Sequence, residues 1–199
     1  MMNRDNGYCE VLVNKFTEEC AKQFREEFLF EAEKSREKPV ITLIDTYGGA
    51  IDGLATMVET MESVPNQVIT VCVGKVISAG AILLSFGDKR FCGPHSRIMI
   101  HECLYGPPTA NIHEVVELSK EALRMNEYWL GKLAENCKIK GGYLGLKRLL
   151  KNSNDDRTIH LNAAEALKFG IVDYIGIPKI TSETTYAINV VTKNSKKPQ

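Results

Sequence analysis

Short apolar runs alternate with amphipathic helical patterns along most of this chain, and this alternation restricts the fold more than any other feature. The runs at 9–13, 40–44, 68–73 and 97–101 are rich in β-branched and apolar residues, as buried strands are. Between them, apolar residues recur at the three- and four-residue spacing of helices. Repeated βα units of this kind predict an α/β fold built on a largely parallel sheet with right-handed crossovers.

One long helix and a polar tail complete the predicted organisation. The longest helical pattern lies at about 111–136 and is apolar on more than one face, so we expect it to pack on two partners, one of which could be another subunit. A chain of 199 residues can bury one sizeable core. We therefore predict a single domain over 1–180, followed by a polar C-terminal tail at 181–199.

The charge composition argues against nucleic-acid and membrane partners. Lys and Arg total 25, as do Asp and Glu, so the chain has no net field that would attract nucleic acid or an anionic membrane. No apolar run approaches the roughly 18 residues of a membrane span, and no charged-then-apolar leader opens the chain. Six scattered cysteines without a C-x-x-C pair favour reduced, buried thiols, so we expect a cytoplasmic location.

The histidines and cysteines do not form a metal-binding pattern. The four His and six Cys residues lack the spacings that zinc sites use. The chain also contains no G-x-x-x-x-G-K loop for nucleotide phosphates. We therefore expect neither a metal nor another cofactor, and no ATPase activity of the chain itself.

Three features suited to acyl transfer follow directly after predicted strands, where sites gather in α/β folds. Ser78 begins a predicted helix, so the N–H of Ala79 would point into a site there. His101 ends a strand and is a base suited to neutral pH, while Gly48, without a Cβ, would let another N–H approach closely. Acyl transfer needs such a hydroxyl, a base and oxyanion donors. Taken singly, each residue also has a structural explanation, as a helix N-cap, a strand end or a turn.

Four sequence blocks are informative when taken together. The blocks are I-D-T-Y-G-G-A at 44–50, V-G-K-V-I-S-A-G-A at 73–81, R-I-M-I-H at 97–101 and L-N-A-A-E-A-L-K-F-G-I-V-D at 161–173. Together they resemble the proteolytic subunit of Clp protease, the ClpP family. They occur in the family's order and at similar spacing, and their conjunction is far more specific than any one motif. The likeness spans roughly residues 9–175.

The resemblance implies a fold and a set of catalytic roles. The fold would be of the ClpP/crotonase type, made of repeated ββα-like units, with the long helix projecting as a handle that joins two rings. Ser78 would be the nucleophile and His101 the general base. The backbone amides of Gly48 and Ala79 would form the oxyanion hole.

The resemblance also implies a substrate and an assembly. Gly49, Ala50, Ile51 and the strand around Leu104 would hold an extended peptide by β-pairing. The activity would be that of a serine endopeptidase that cleaves unfolded or short peptides through an acyl-enzyme. The active form would be a homo-oligomer of stacked hexameric or heptameric rings.

One departure from the family pattern concerns the third member of the catalytic triad. Where the family places an Asp, three residues before the Leu of its last block, this chain has Thr158. A threonine cannot stabilise an imidazolium as a carboxylate does. Either Asp156, two residues earlier, takes this role, or the enzyme works with a weaker Ser–His pair. Asp155 and Asp156 could equally be solvated turn residues.

A second departure concerns the start of the chain and a partner ATPase. The first predicted strand starts near Cys9, which leaves little room for the helix and axial loops that precede it in the family. This shortening argues against docking to an unfolding ATPase, the partner that the resemblance would otherwise imply.

Two other functions remain open from the sequence. Thr158 would also suit a catalytically silent ring subunit that assembles with an active relative. The same fold could serve a crotonase-like acyl-CoA enzyme, although basic, glycine-rich CoA-binding signals are absent from the sequence.

Overall fold

The computed structural model describes residues 9–104, 111–153 and 157–179. Asp156 and the tail predicted at 181–199 lie outside these residues. The strands are β1 Cys9–Val13, β2 Val40–Thr46, β3 Val68–Ile77, β4 Lys89–Cys92, β5 Arg97–His101, β6 Thr158–Asn162 and β7 Tyr174–Ile175. The helices are α1 Glu18–Lys34, α2 Ile51–Glu62, α3 Ala79–Ser85, α4 Ile112–Asn136, α5 Gly142–Lys151 and α6 Ala163–Lys168.

The sheet is parallel except at one edge, which confirms the predicted α/β class. Strands β1, β2, β3, β4 and β7 lie side by side in that order, and each neighbouring pair is parallel. Strand β5 pairs parallel with β3, and β6 pairs antiparallel with β5. The antiparallel β6 and the short β4 were not predicted, because both are too polar to give an apolar run.

Strand β3 is long enough to pair with two strands in succession. Its first half, residues 69–72, pairs with β4, and its last three residues, 75–77, pair with β5. Between the two halves the register with β2 shifts, and Gly74 has a φ of 72°. The buried Ser96 hydroxyl accepts from the N–H of Gly74 at 2.9 Å and donates to the Cys72 carbonyl at 3.3 Å. This bulge lets β3 leave β4 and run alongside β5.

The helices on one face of the sheet form the main core. Helix α1 begins at Thr17, whose hydroxyl accepts from the N–H of Cys20 at 3.1 Å, as an N-cap does. Its apolar stripe is buried, as the periodicity predicted. The largest fully buried side chains of this core are Phe16, Phe28, Ile44, Leu54, Met57, Leu83, Leu84, Ile98, Leu130, Leu133, Leu146 and Leu150.

Helix α4 is divided between two environments. Its C-terminal half is anchored in the core by Trp129, Leu130 and Leu133, all at most 5% exposed. Its N-terminal half, closed by a capping box between Asn111 and Glu114, carries several exposed apolar side chains. None of the helices in the described part of the chain is long and apolar enough to cross a membrane.

Two leucines of α5 allow a matched test of the core. Leu146 is 1% exposed and Leu144 is 62% exposed. We expect Leu146→Ala to lower the free energy of unfolding by about 2–5 kcal/mol, since it leaves a cavity, whereas Leu144→Ala changes it little. Urea denaturation followed by the fluorescence of Trp129, the only tryptophan, measures both. An equal loss in the two variants would contradict this packing.

Candidate active site

Ser78 stands at a sharp turn between β3 and α3. It is the N-cap of α3 and has φ 59° and ψ −123°, a conformation that residues other than glycine rarely adopt. Its N–H donates to the Met99 carbonyl at 2.9 Å and so continues the pairing of β3 with β5. Such backbone strain persists only where the surrounding structure enforces it, and it concentrates at functional sites.

The backbone at Gly48 lies directly against the Ser78 side chain. A Cβ placed on Gly48 would lie 2.8 Å from Ser78 Cβ and 3.2 Å from its Oγ. Gly48 also has a φ of 92°, which favours glycine. Its N–H donates to Thr46 Oγ1 at 3.0 Å. An oxyanion beside Ser78 would therefore have to share this N–H with the threonine hydroxyl.

Ala79 is the first residue of α3 and is buried. The first N–H groups of a helix have no partner within the helix, so they are suited to bind negative charge. Gly80 brings this turn close to β2, because a Cβ there would lie 2.4 Å from Thr46 Cγ2. The N-terminus of α3 is therefore packed tightly beside the Gly48 turn.

His101 ends β5 on the strand next to the one that leads to Ser78. Ile77 pairs with Met99, so Ser78 comes one residue and His101 two residues after this pair. Strands rise about 3.3 Å per residue and lie about 4.8 Å apart, which puts the two Cα atoms within about 8 Å of each other. The His101 side chain is partly exposed. The fold therefore brings the two predicted residues to neighbouring strand ends.

The imidazole of His101 is oriented by a backbone carbonyl. Nδ1 lies 2.5 Å from the carbonyl oxygen of Glu102. A carbonyl can only accept a hydrogen bond, so in the neutral imidazole the proton lies on Nδ1 and Nε2 carries the lone pair. This tautomer is the one in which Nε2 can remove a proton from a hydroxyl.

Thr158 lies directly opposite His101. The two residues form the last pair of the antiparallel β5–β6 ladder. Side chains of directly opposed residues lie on the same face of a sheet, about 4.5–5.5 Å apart at Cβ. The position that is an aspartate in the family pattern is therefore beside the histidine, and here it holds a threonine. Asp156 lies outside the described residues, so its predicted role stays a prediction.

Some of the residues predicted to hold a peptide already make backbone contacts within the chain, and others do not. Gly49 bridges to Phe16, and the N–H of Ala50 donates to the Phe16 carbonyl at 2.8 Å. Ile51 is the first residue of α2. Leu104 is 88% exposed. The N–H of Ala50 is thus engaged within the chain, while Leu104 remains open to a partner.

The thiol nearest the site is not activated. Cys103, two residues after His101, is partly buried, and this burial raises the pKa of its thiol. Burial also raises the pKa of Cys137 to about 11. Thiols with raised pKa values are poor nucleophiles at neutral pH. Among the described residues, no group of three or more His, Cys, Asp or Glu side chains could hold a metal ion.

Three residues around His101 were not singled out from the sequence. The carboxylate of Glu102 accepts from Arg157 at 2.8 Å, and Asn126 of α4 accepts from the N–H of Cys103 at 2.8 Å. Extending the β5–β6 register by one residue puts Glu102 opposite Arg157, but this register is known only from the structure, because β6 was not predicted. No sequence signal connects Asn126 with residue 103, since 23 residues separate them.

Comparison with known proteins gives one consistent family. A model of the Clp protease family matches residues 10–179. The chain is 31% identical over 151 residues to the ATP-dependent Clp protease proteolytic subunit 3 of Synechococcus sp. (strain CC9605), covering 75% of this chain and 72% of that protein. It is 34% identical over 140 residues to the ATP-dependent Clp protease proteolytic subunit 2 of Prochlorococcus marinus (strain MIT 9313), covering 69% and 66%. The chain therefore belongs to the Clp protease family.

Proposed function

We propose that this chain is a serine endopeptidase subunit in which Ser78 is the nucleophile and His101 the general base. The observation that carries the proposal is the strained Ser78 at the N-terminus of α3, at the end of the strand next to the one that ends in His101, whose Nδ1 is hydrogen-bonded to a backbone carbonyl. Acyl transfer needs a nucleophile, a base and N–H donors for an oxyanion. The site combines a strained serine, a histidine on the next strand and the first N–H groups of a helix, and this combination is more specific than any one of the three features. The family assignment favours a peptidase over an acyl-CoA enzyme.

The proposed reaction proceeds in two steps. Nε2 of His101 takes the hydroxyl proton as Ser78 Oγ bonds to the peptide carbonyl carbon. The oxygen of the tetrahedral intermediate is stabilised by the N–H groups of Ala79 and Gly48. The C–N bond then breaks, and His101 gives the proton to the leaving amine. A water molecule, deprotonated by the same imidazole, then bonds to the acyl carbon; the C–Oγ bond breaks, and His101 returns the proton to Ser78 Oγ.

We also propose that the active form is a homo-oligomer of stacked rings joined through α4. Three apolar side chains on its N-terminal half are exposed in the single chain, namely Ile112 at 76%, Val116 at 48% and Leu123 at 68%. They recur at four- and seven-residue spacing, so they share one face of the helix. Large exposed apolar faces usually mark contacts with other proteins. The substrate class that fits a closed chamber is unfolded or short peptides.

A silent ring subunit is the second candidate function, and one observation favours it. Thr158, rather than a carboxylate, lies opposite His101. Under our proposal the carboxylate that stabilises the imidazolium is Asp156. If neither residue supports the charge, the subunit would assemble without cleaving peptides.

The nucleophile and the proposed carboxylate are tested by covalent labelling. A fluorophosphonate should modify Ser78 in the wild type and leave Ser78→Ala unmodified, with the adduct located by mass spectrometry. Asp156→Asn should slow labelling about tenfold or more, because the imidazolium loses a stabilising charge. Light scattering confirms that each variant assembles. Absence of any adduct on assembled wild-type rings would support the silent subunit, and labelling of Ser78→Ala would exclude Ser78.

The close approach of Gly48 to Ser78 gives a second test. Gly48→Ala should slow labelling of Ser78 about tenfold to a hundredfold, because φ 92° strains an alanine and its Cβ would collide with the Ser78 side chain. Gly131→Ala is the matched control, since a Cβ on Gly131 meets nothing within 4 Å. Equal labelling rates in the two variants would show that the Gly48 turn does not act on the serine.

Restoring the family carboxylate gives a third test. In the Asp156→Asn background, Thr158→Asp should raise the labelling rate about tenfold, since a carboxylate opposite His101 stabilises its charged form. Thr158→Asn has nearly the same shape without the charge and should give no gain. If the two variants behave alike, position 158 does not act on His101 through charge.

A further inference from the structure

The peptide unit between Glu102 and Cys103 is held from both sides. Its carbonyl oxygen accepts from His101 Nδ1, and its N–H donates to Asn126 Oδ1 at 2.8 Å. A trans peptide is planar, and its C=O and N–H point in opposite directions. Fixing the N–H therefore also fixes the direction in which the carbonyl points.

Asn126 is a rigid point of attachment for this peptide. It is 8% exposed, and it is the buried polar side chain of α4. Trp129 and Leu130, on the next turn, are at most 5% exposed and anchor the helix in the core. A buried amide stays in place only where its hydrogen bonds are made. The side-chain oxygen of Asn126 accepts a hydrogen bond from Cys103, which lies outside the helix and follows His101 by two residues.

The side chain of Glu102 forms an ion pair with Arg157. In the antiparallel register, Glu102 and Arg157 would be the next pair after His101 and Thr158. Their carboxylate and guanidinium meet at 2.8 Å. This ion pair extends the β5–β6 contact by one residue beyond the last backbone pair. The Glu102 side chain is therefore held at the sheet edge, and the peptide that follows it is held by α4.

We infer that Asn126 is a positioning residue for His101, because it fixes the peptide whose carbonyl accepts from Nδ1 and so keeps the proton of the neutral imidazole on that nitrogen. In serine triads a carboxylate performs this orienting task. In the resting form of this protein, the Glu102 carbonyl sets the tautomer of His101, and the hydrogen bond from Cys103 to Asn126 of α4 holds that carbonyl in place. The inference rests on the proposed function only for its effect on rate. The effect on the tautomer is independent of activity.

Removing the acceptor at residue 126 should release the carbonyl. With leucine at this position the N–H of Cys103 loses its partner, and the peptide can rotate away from Nδ1. The two neutral tautomers of His101 would then exchange freely. The fraction of molecules with Nε2 ready to accept a proton would fall, and labelling of Ser78 would slow about tenfold.

The experiment compares Asn126→Leu, Asn126→Asp and Asn136→Leu with the wild type. Asn126→Asp keeps an acceptor oxygen and should restore wild-type behaviour. Asn136→Leu is the matched control, since Asn136 lies on the same helix but its side chain donates to Ser85. The ¹⁵N chemical shifts of His101 report the tautomer directly. The chain has only four histidines, so His101→Gln assigns the signal.

We expect a single Nδ1–H tautomer in the wild type, Asn126→Asp and Asn136→Leu, and a mixture in Asn126→Leu. An unchanged tautomer in folded Asn126→Leu would overturn the inference, whatever happens to the rate. If wild-type Ser78 is never labelled, the proposed function fails, and the tautomer comparison still decides the role of Asn126. If Asn126→Leu does not fold, Asn126→Ala takes its place, because alanine is too small to overpack the site. A mixture of tautomers in Asn126→Ala would support the inference, and a single Nδ1–H tautomer would overturn it.

Discussion

The pairing of β3 with two different strands is the constraint on which the site depends. The first half of β3 is fixed to β4, and the second half can reach β5 only because the chain bulges at Gly74. The bulge leaves backbone groups without ladder partners, and the buried Ser96 hydroxyl satisfies two of them. The second half of β3 and the strand β5 then run side by side and end at Ile77 and His101, next to Ser78.

Strain and close packing at Ser78 support each other. The serine is held at φ 59° because its N–H is fixed to Met99, the Gly48 turn lies against its side chain, and α3 is packed onto β2. The last two contacts need glycine at the point of closest approach, Gly48 against Ser78 and Gly80 against Thr46. Tight packing of this kind keeps a side chain in one geometry at a cost in backbone energy. His101, by contrast, is oriented by hydrogen bonds rather than by packing.

Sequence reasoning succeeded where a local pattern coincides with the tertiary role, and it failed elsewhere for identifiable reasons. The buried strands were predicted because burial on both faces gives a continuous apolar run, and the stripe of α1 was predicted because burial of one helix face gives a three- and four-residue period. Strands β4 and β6 were not predicted, because their polar residues are stabilised by neighbours that are distant in sequence. Arg90 of β4, for example, is paired with Asp173 at 2.6 Å, and its hydrogen bonds lower the pKa of that carboxylate.

The sequence by itself determined the α/β class, the family and the positions of Ser78, Gly48 and His101 at strand ends, since these depend on periodicity and on ordered motifs. Only the tertiary structure decided which groups surround the histidine. Thr158 reaches it through strand register, and Asn126 through the packing of α4. Contacts between residues far apart in the chain leave no periodic trace in sequence, because each is set by the angle and register at which whole elements pack.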